Sequence, residues 1–249
     1  MPKQPQITTS FDKPWLILGE GESDKLVFEN IVRDLGLTDF QVEFPRLKKE
    51  ETGGIGRFAF YLALLSTSQT AVSKLKAILL VPDNDDNPDK SFKAIQKIVQ
   101  NANKQIPKFT STPKLYAIPK KPLEPAVSPD GAPTLVVMML PWTGEKGALE
   151  TLCLPAFYRK WKKVWIDMEG DLDHFVNASP SAGWKTTGQS KTRIQCAIAA
   201  TCEKDPNTPL AKLFKRPKKY HFSTKHPTFN RIRKFLRNFG NLLAGARAP

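Results

Sequence analysis

Three groups of carboxylates each follow an apolar run in the first 150 residues. Glu20, Glu22 and Asp24 follow Trp15–Leu18; Asp83, Asp85, Asp86 and Asp89 follow Ala77–Val81; Glu145 and Glu150 follow Leu135–Leu140. If those runs are strands of one open parallel sheet, their carboxyl ends are where such a sheet binds ligands. The acids would then converge on a small volume and repel one another at neutral pH unless a cation sat between them. Hard divalent ions take oxygen ligands, and Mg²⁺ combines a few carboxylates with water and phosphate oxygens. The pattern therefore predicts a Mg²⁺ or Mn²⁺ site. Asp and Glu also favour first helical turns, but that role explains one such group more readily than three in succession.

Two other readings of the same residues fail. Asp83-Asn84-Asp85-Asp86-Asn87 begins like a calcium loop, yet Pro88 takes the glycine position, Ala94 replaces the bidentate glutamate, and a strand precedes it instead of a helix. Gly19-Glu20-Gly21-Glu22-Ser23-Asp24 begins like a dinucleotide fingerprint, yet its third glycine is Asp24 and two glutamates stand where a pyrophosphate would approach.

The elements that must position these acids follow from periodicity. Strands are expected at Trp15–Leu18, Phe40–Pro45, Ala77–Val81, Lys114–Ile118 and Leu135–Leu140. Between them lie helical patterns: one capped by Ser23 and running to Leu35, one after Gly53, Gly54 and Gly56 with Phe58, Leu62 and Leu65 on one side, and one capped by Asp89 carrying Phe92, Ile95, Ile98 and Val99. A proline-rich loop spans Pro119 to Pro133. Continuous apolar runs alternating with helices indicate an α/β fold with a mainly parallel, Rossmann-like sheet covered on both faces. From Leu152 onward no strand is expected. Helices are read at Leu154–Asp167, near Thr192–Cys202 and near Thr228–Phe239, with an acidic turn at Asp167, Glu169, Asp171 and Asp173. The division expected is a flexible 1–13, an α/β domain over 14–153, and a helical, basic 154–249 packed on the same core.

Net charge is +14, and from Lys212 onward there are 11 Lys or Arg and no acid. That asymmetry favours a polyanionic partner, nucleic acid first. The helix near Thr228–Phe239 puts Phe229, Ile232, Leu236 and Phe239 on one side and Arg231, Lys234 and Arg237 elsewhere, which reads first as a core-docking helix with a basic outer face. No stretch approaches a membrane span, and the polar N-terminus has no apolar signal core. Three unpatterned cysteines, Cys153, Cys196 and Cys202, argue against a zinc site or a disulfide framework and for a reducing compartment. A cytoplasmic protein is the expectation, and self-assembly or a protein partner is left open.

With these residues in place, the chain resembles a Toprim domain. Glu20 in LILGEGESD, the pair Asp83-x-Asp85 after AILLV, and Glu150 in KGALE carry the likeness, which covers roughly Trp15 to Leu154 and extends more weakly to Lys191–Lys212. The small stand-alone prokaryotic Toprim and OLD-like nucleases are the nearest in pattern. The resemblance implies that Glu20 is a metal ligand or general acid/base and that Asp83 and Asp85 hold the principal Mg²⁺. It also implies that Asp24 and Glu150 are further ligands, Glu150 serving a second metal, and it places Gly54 in a glycine turn. Glu22, Asp86 and Asp89 are acids beyond the family pattern.

Among Toprim chemistries, a topoisomerase needs a tyrosine nucleophile set on an accessory domain. Tyr61, Tyr116, Tyr158 and Tyr220 all sit in contexts that suggest packing. A primase needs a template module such as a zinc ribbon, which the cysteines do not supply. Metal-assisted hydrolysis of a phosphodiester in RNA or DNA is the reading that survives, in RNA processing or phage defence by analogy. Arg57, Lys146, Lys191 and Arg193 are the candidates for phosphate contact. The alternatives are a non-catalytic, Mg²⁺-dependent nucleotide or nucleic-acid binding module and a phosphatase on the same metal chemistry.

Overall fold

The computed structural model describes residues 10–45, 55–157, 170–176, 178, 186–201, 209–215 and 222–246. Four strands, β1 (Trp15–Gly19), β2 (Phe40–Glu43), β3 (Ala77–Val81) and β4 (Thr134–Val137), form one sheet in the order β2-β1-β3-β4. Every pairing is parallel. The helices are α1 (Glu22–Leu35), α2 (Phe58–Leu65), α3 (Gln69–Lys74), α4 (Pro88–Gln105), α5 (Leu149–Phe157), α6 (Thr186–Thr201), α7 (Leu210–Lys215), α8 (Asn230–Arg237) and α9 (Phe239–Gly245). This is the α/β architecture expected, with a helical C-terminal part. No helix among the described residues is long and apolar enough to cross a membrane.

The strands are buried on both faces, which is why their sequences lack a two-residue period. Ile17, Leu79, Val81 and Val136 face one core with α1, α5, α6, α7 and α8. Leu16, Leu18, Ile78, Leu80, Leu135 and Val137 face the other, under α2 and α4. The chain moves outward from β1 to β2 and then returns to the far side of β1 with β3. The topological switch point thus lies between β1 and β3, where a ligand crevice opens in such sheets.

Several element boundaries differ from the sequence reading. Helix α1 begins at Glu22, with Gly21 as its N-cap instead of Ser23. Asp24, at the third helical position, accepts the Gly21 N–H at 2.9 Å. Helix α4 is capped by Asn87, whose side chain accepts the Lys90 N–H, and Pro88 fills the first turn; Asp89 is not the cap. Residues 114–118 form no strand. Asn103 on α4 donates to the Tyr116 carbonyl at 2.8 Å and accepts its N–H at 2.9 Å, so a side chain satisfies the backbone that a sheet neighbour would have bonded. The second strand ends at Glu43 rather than Pro45. Asp171 and Asp173 lie in a helical stretch, 170–176, and not in a turn; Asp167 and Glu169 are outside the described residues. Gly53, Gly54, Tyr158, Cys202 and Tyr220 also fall outside them.

The C-terminal helices belong to the sheet's own core. Phe239 packs on Trp15 of β1 and Phe40 of β2, with ring centroids 5.6 and 5.4 Å apart. Phe214 stacks edge-on against Phe222, and Asn30 of α1 donates to the buried Phe214 carbonyl at 2.9 Å. The stretch expected as one helix from Thr228 is broken: a 3₁₀ turn at Pro227–Phe229, then α8, then a break at Asn238 before α9. Truncating Phe239 to Ala is expected to cost about 3–5 kcal/mol in one cooperative unfolding transition. A two-step transition by circular dichroism would mean that the helical part is a separate unit.

Candidate metal and phosphate site

The acids meet at the switch point. Glu20 follows β1 directly, and its Oε1 accepts the Asp83 N–H at 3.0 Å, which ties the ends of β1 and β3 together. Asp83 Oδ1 in turn accepts the Leu149 N–H at 3.0 Å, the first residue of α5, so Glu150 is delivered to the same place. Asp24 comes up from the first turn of α1. A Cβ on Gly19 would lie 2.4 Å from Asp24 Cβ; glycine is required there for close approach and not for a turn.

The loop between Asp83 and Glu150 is shaped by two strained or crowded positions. Asp85 has φ +50°, a left-handed conformation that Asp tolerates better than most residues. Its carbonyl accepts the N–H of Gly147 at 2.8 Å. Gly147 has φ +126°, and a Cβ there would stand 2.4 Å from Thr151 Oγ1. Thr151 also shares a hydroxyl contact of 3.1 Å with Ser190, which joins α5 to α6 one residue away from Glu150 and Lys191 on the two helices.

Asn84 has a structural role that its place in the Asp83–Asn87 stretch does not reveal. It is fully buried, and its amide donates to the carbonyls of Trp142 and Glu145, both at 2.6 Å. Its own N–H goes to the Leu140 carbonyl at 2.8 Å. One side chain therefore clamps the Asp83–Asp85 segment to the loop after β4.

Crowding of like charge sets the electrostatics. Burial, then Asp83's neighbours Glu20, Asp24 and Glu150, push the Asp83 carboxyl well above the ordinary range. Burial and then Glu20 raise Asp24 to about 7, against the lowering effect of the Gly21 amide. Burial is also the main cause for Glu20, opposed by the Asp83 amide and reinforced by Asp85, and for Glu150. Lys191 is near enough to lower both Glu20 and Glu150. Cys153, buried beside them, is pushed up by burial and by Glu150, Asp24 and Asp83, so it is an unreactive thiol under the acids.

The donor set is all carboxylate oxygen in a low-dielectric setting, which is the chemistry a hard divalent cation matches. Among the described residues no three of His, Cys, Asp and Glu stand ready-placed around one metal position. One oxygen of Glu20, one of Asp83 and one of Asp24 accept backbone N–H groups of Asp83, Leu149 and Gly21.

Of the residues expected to touch phosphate, Lys191 acts on the cluster, lowering Glu20 and Glu150. Lys146 is exposed on the loop just before Gly147. Arg193, two residues after Lys191, is engaged by Asp173 at 2.8–2.9 Å. Arg57 stands at the start of α2, whose residues pack on the opposite face of the sheet from α5 and α6. Glu22 points away from the cluster and pairs with Lys215 of α7 at 2.7 Å, and Glu145 pairs with Arg231.

A family model described as a protein of unknown function (DUF3226) matches residues 14–241. No curated protein and no solved structure matches the chain.

The raised Asp24 carboxyl has a consequence for stability. Its folded value, about 7, exceeds the ordinary aspartate value of 3.8, so the folded state holds a proton that the unfolded state releases. The associated stability is complete below about pH 4 and is lost as pH rises through 7. In EDTA, the melting temperature should therefore fall between pH 5 and pH 8 by more in the wild type than in Asp24→Asn. At pH 8 the Asn variant should melt higher, because Asn still accepts the Gly21 N–H. A parallel pH profile for both proteins would show that Asp24 is not charged against its neighbours.

Proposed function

The chain belongs to the DUF3226 family, and we propose that it is a divalent-metal-dependent hydrolase of nucleic-acid phosphodiesters, an enzyme of the Toprim nuclease type. The observation that carries this reading is the convergence of Glu20, Asp83 and Glu150, with Asp24 beneath them, at the β1–β3 switch point, every one of these carboxyls raised by burial and most by one another. Such a cluster is costly to hold without a cation, and Lys191 beside it suits a phosphate.

Glu20, Asp83, Asp85 and Glu150 would hold Mg²⁺ or Mn²⁺, with Asp24 supporting from below. The bound ion would polarise the phosphoryl oxygens and lower the pKa of a water nucleophile. The chain's own residues do the rest. The amides of Asp83 and Leu149 fix one oxygen of Glu20 and of Asp83, leaving the other oxygen of each carboxylate for the ion. Asn84 fixes the segment between Asp83 and Asp85. Lys191 would neutralise a non-bridging phosphate oxygen, and the basic residues of α8 would hold the strand's backbone in a salt-dependent way. RNA or DNA serves equally in this scheme, in the cytoplasm of a prokaryotic cell. The amide bonds to Glu20 and Asp83 favour one alternative, a single-ion module that binds nucleotide or nucleic acid without cutting it.

The deciding assay incubates the full chain with end-labelled RNA and DNA in Mg²⁺, Mn²⁺ or EDTA. Cleavage should require the metal and fall at least about 100-fold in Asp83→Ala and Glu20→Ala, the scale of a lost electrostatic contribution. Lys191→Ala should raise KM and also move the acid limb of the pH–rate profile to higher pH, because Lys191 lowers Glu20 and Glu150. Uncut substrate in every metal, or cleavage indifferent to Asp83→Ala, would overturn the enzyme reading; metal-dependent binding without cleavage would select the binding module.

A further inference from the structure

A second basic run precedes the C-terminal one. From Lys90 to Lys121 there are eight lysines and no Asp or Glu, and all eight are exposed. At 3.6 residues per turn, Lys90, Lys93, Lys97 and Lys104 fall within an arc of about 60° on α4, in a row about 21 Å long. Lys108 continues the row in the turn after the helix, and the exposed Gln100 and Asn101 fill the gap between Lys97 and Lys104. Loop 114–121 is fastened to the side of the same helix. Gln96 donates to the Pro119 carbonyl at 2.8 Å, and Asn103 takes both backbone bonds of Tyr116. Lys114, Lys120 and Lys121 therefore belong to the same surface. Lys121 pairs with Glu124 at 3.3 Å; the other seven make no ion pair among the described residues.

We propose that this surface is a track for the backbone of a nucleic-acid duplex, which lies along α4 and leads to the acid cluster. The inference rests on the hydrolase reading of that cluster and names its substrate as double-stranded. Three observations select this occupant. Charge is the first. Lys93 stands at i, i+3 from Lys90 and at i, i+4 from Lys97, and like charges so spaced weaken a helix. A merely solvated face interleaves acids with its lysines; this one has none. The second is what the row lacks. It holds lysines and amides and no apolar side chain, whereas protein interfaces are depleted in lysine and anchored on aromatic residues. No aromatic side chain between Lys90 and Lys121 is exposed, so unpaired bases find no stacking platform. Lysines and amides are instead the residue set that contacts phosphate and sugar.

The third is register with the acids. Ser91, in the first turn of α4, donates its hydroxyl to the Asn84 carbonyl at 2.7 Å. The start of the row is thereby bonded to the residue between Asp83 and Asp85. A duplex strand rising 3.4 Å per nucleotide passes about six phosphates along the row. Helix α4 packs on the sheet face opposite α8, so the two basic surfaces lie on the two sides of the sheet whose strand ends carry the acids.

The test measures binding of the full chain to a labelled DNA duplex of about 20 base pairs, by fluorescence anisotropy in EDTA across a salt series. Each lysine that neutralises a phosphate contributes about 0.9 to the slope of log affinity against log salt. Lys97→Gln/Lys104→Gln should therefore flatten the slope by about 2. Its melting temperature should match the wild type, since both positions are exposed and Gln is as good a helix former as Lys. Lys74→Gln/Lys225→Gln removes the same charge from exposed positions off α4 and its loop, and should flatten the slope by less than about 0.5. Equal flattening by the two double variants, or none by the first, would overturn the track. Polyglutamate that competes as well as the duplex would overturn it in favour of an acidic polypeptide. An unpaired strand of the same sequence that competes equally would overturn the duplex assignment. Metal-dependent cleavage with an unchanged slope removes only this inference; the expected change of slope without cleavage removes only the hydrolase reading.

Discussion

Burying like charge at the junction of β1, β3 and α5 is the constraint on which the rest of this structure depends. Two carboxylates about 4 Å apart repel by roughly 4 kcal/mol even at the moderate effective dielectric near a protein surface. Here Glu20, Asp24, Asp83 and Glu150 act on one another in a largely buried volume. The fold offsets this partly with backbone. The amides of Gly21, Asp83 and Leu149 each donate to one of the acids. Asp24 and Glu150 also sit in the first turns of α1 and α5, where the helix dipole favours negative charge. Lys191 adds one cation from α6. These compensations remain incomplete, since the carboxyls are raised despite them, and the residue of unfavourable charge is what a divalent ion would relieve.

Such a cluster persists only in a frame that cannot relax away from it. Asn84 supplies much of that frame: its buried amide ties the turn between two acids to the loop after β4. Gly19 and Gly147 are needed because Asp24 and Thr151 occupy the space a Cβ would fill. Thr151 and Ser190 then lock α5 to α6, which carry Glu150 and Lys191. None of these contacts involves a large apolar group, yet each fixes where a charge points.

How much of this could be read from the chain depends on whether the signal was periodic or spatial. Runs such as AILLV announce doubly buried parallel strands by composition alone, and acids placed directly after them mark the crevice side. The 114–118 stretch, KLYAI, also carries β-prone residues and is no strand, because Asn103, 13 residues before Tyr116, takes both backbone bonds of Tyr116. Both helix caps lie two residues before the positions that residue preference suggests, Gly21 in place of Ser23 and Asn87 in place of Asp89. The pairing of Glu22 with Lys215 spans most of the chain, and no spacing rule connects such residues. Glu145 belongs by position to the acid groups, but in the fold it pairs with Arg231 of α8.

The basic C-terminal residues look, in sequence, like a tail that could be added to any domain. The placement of those on α8 argues otherwise. On α8, Ile232 and Leu236 are buried in the sheet's core while Arg231, Lys234 and Arg237 are exposed. Phe235, between them, reaches Trp142, and Arg231 reaches Glu145, both on the loop that Asn84 joins to Asp83 and Asp85. Positive charge is thus held in register with the carboxylates by ordinary packing. On the hydrolase reading, a polyanion drawn to that surface would be brought beside the acids. The part of the charge asymmetry carried by α8 therefore has a structural meaning: this basic helix contacts the loop beside the acids through Phe235 on Trp142 and Arg231 on Glu145.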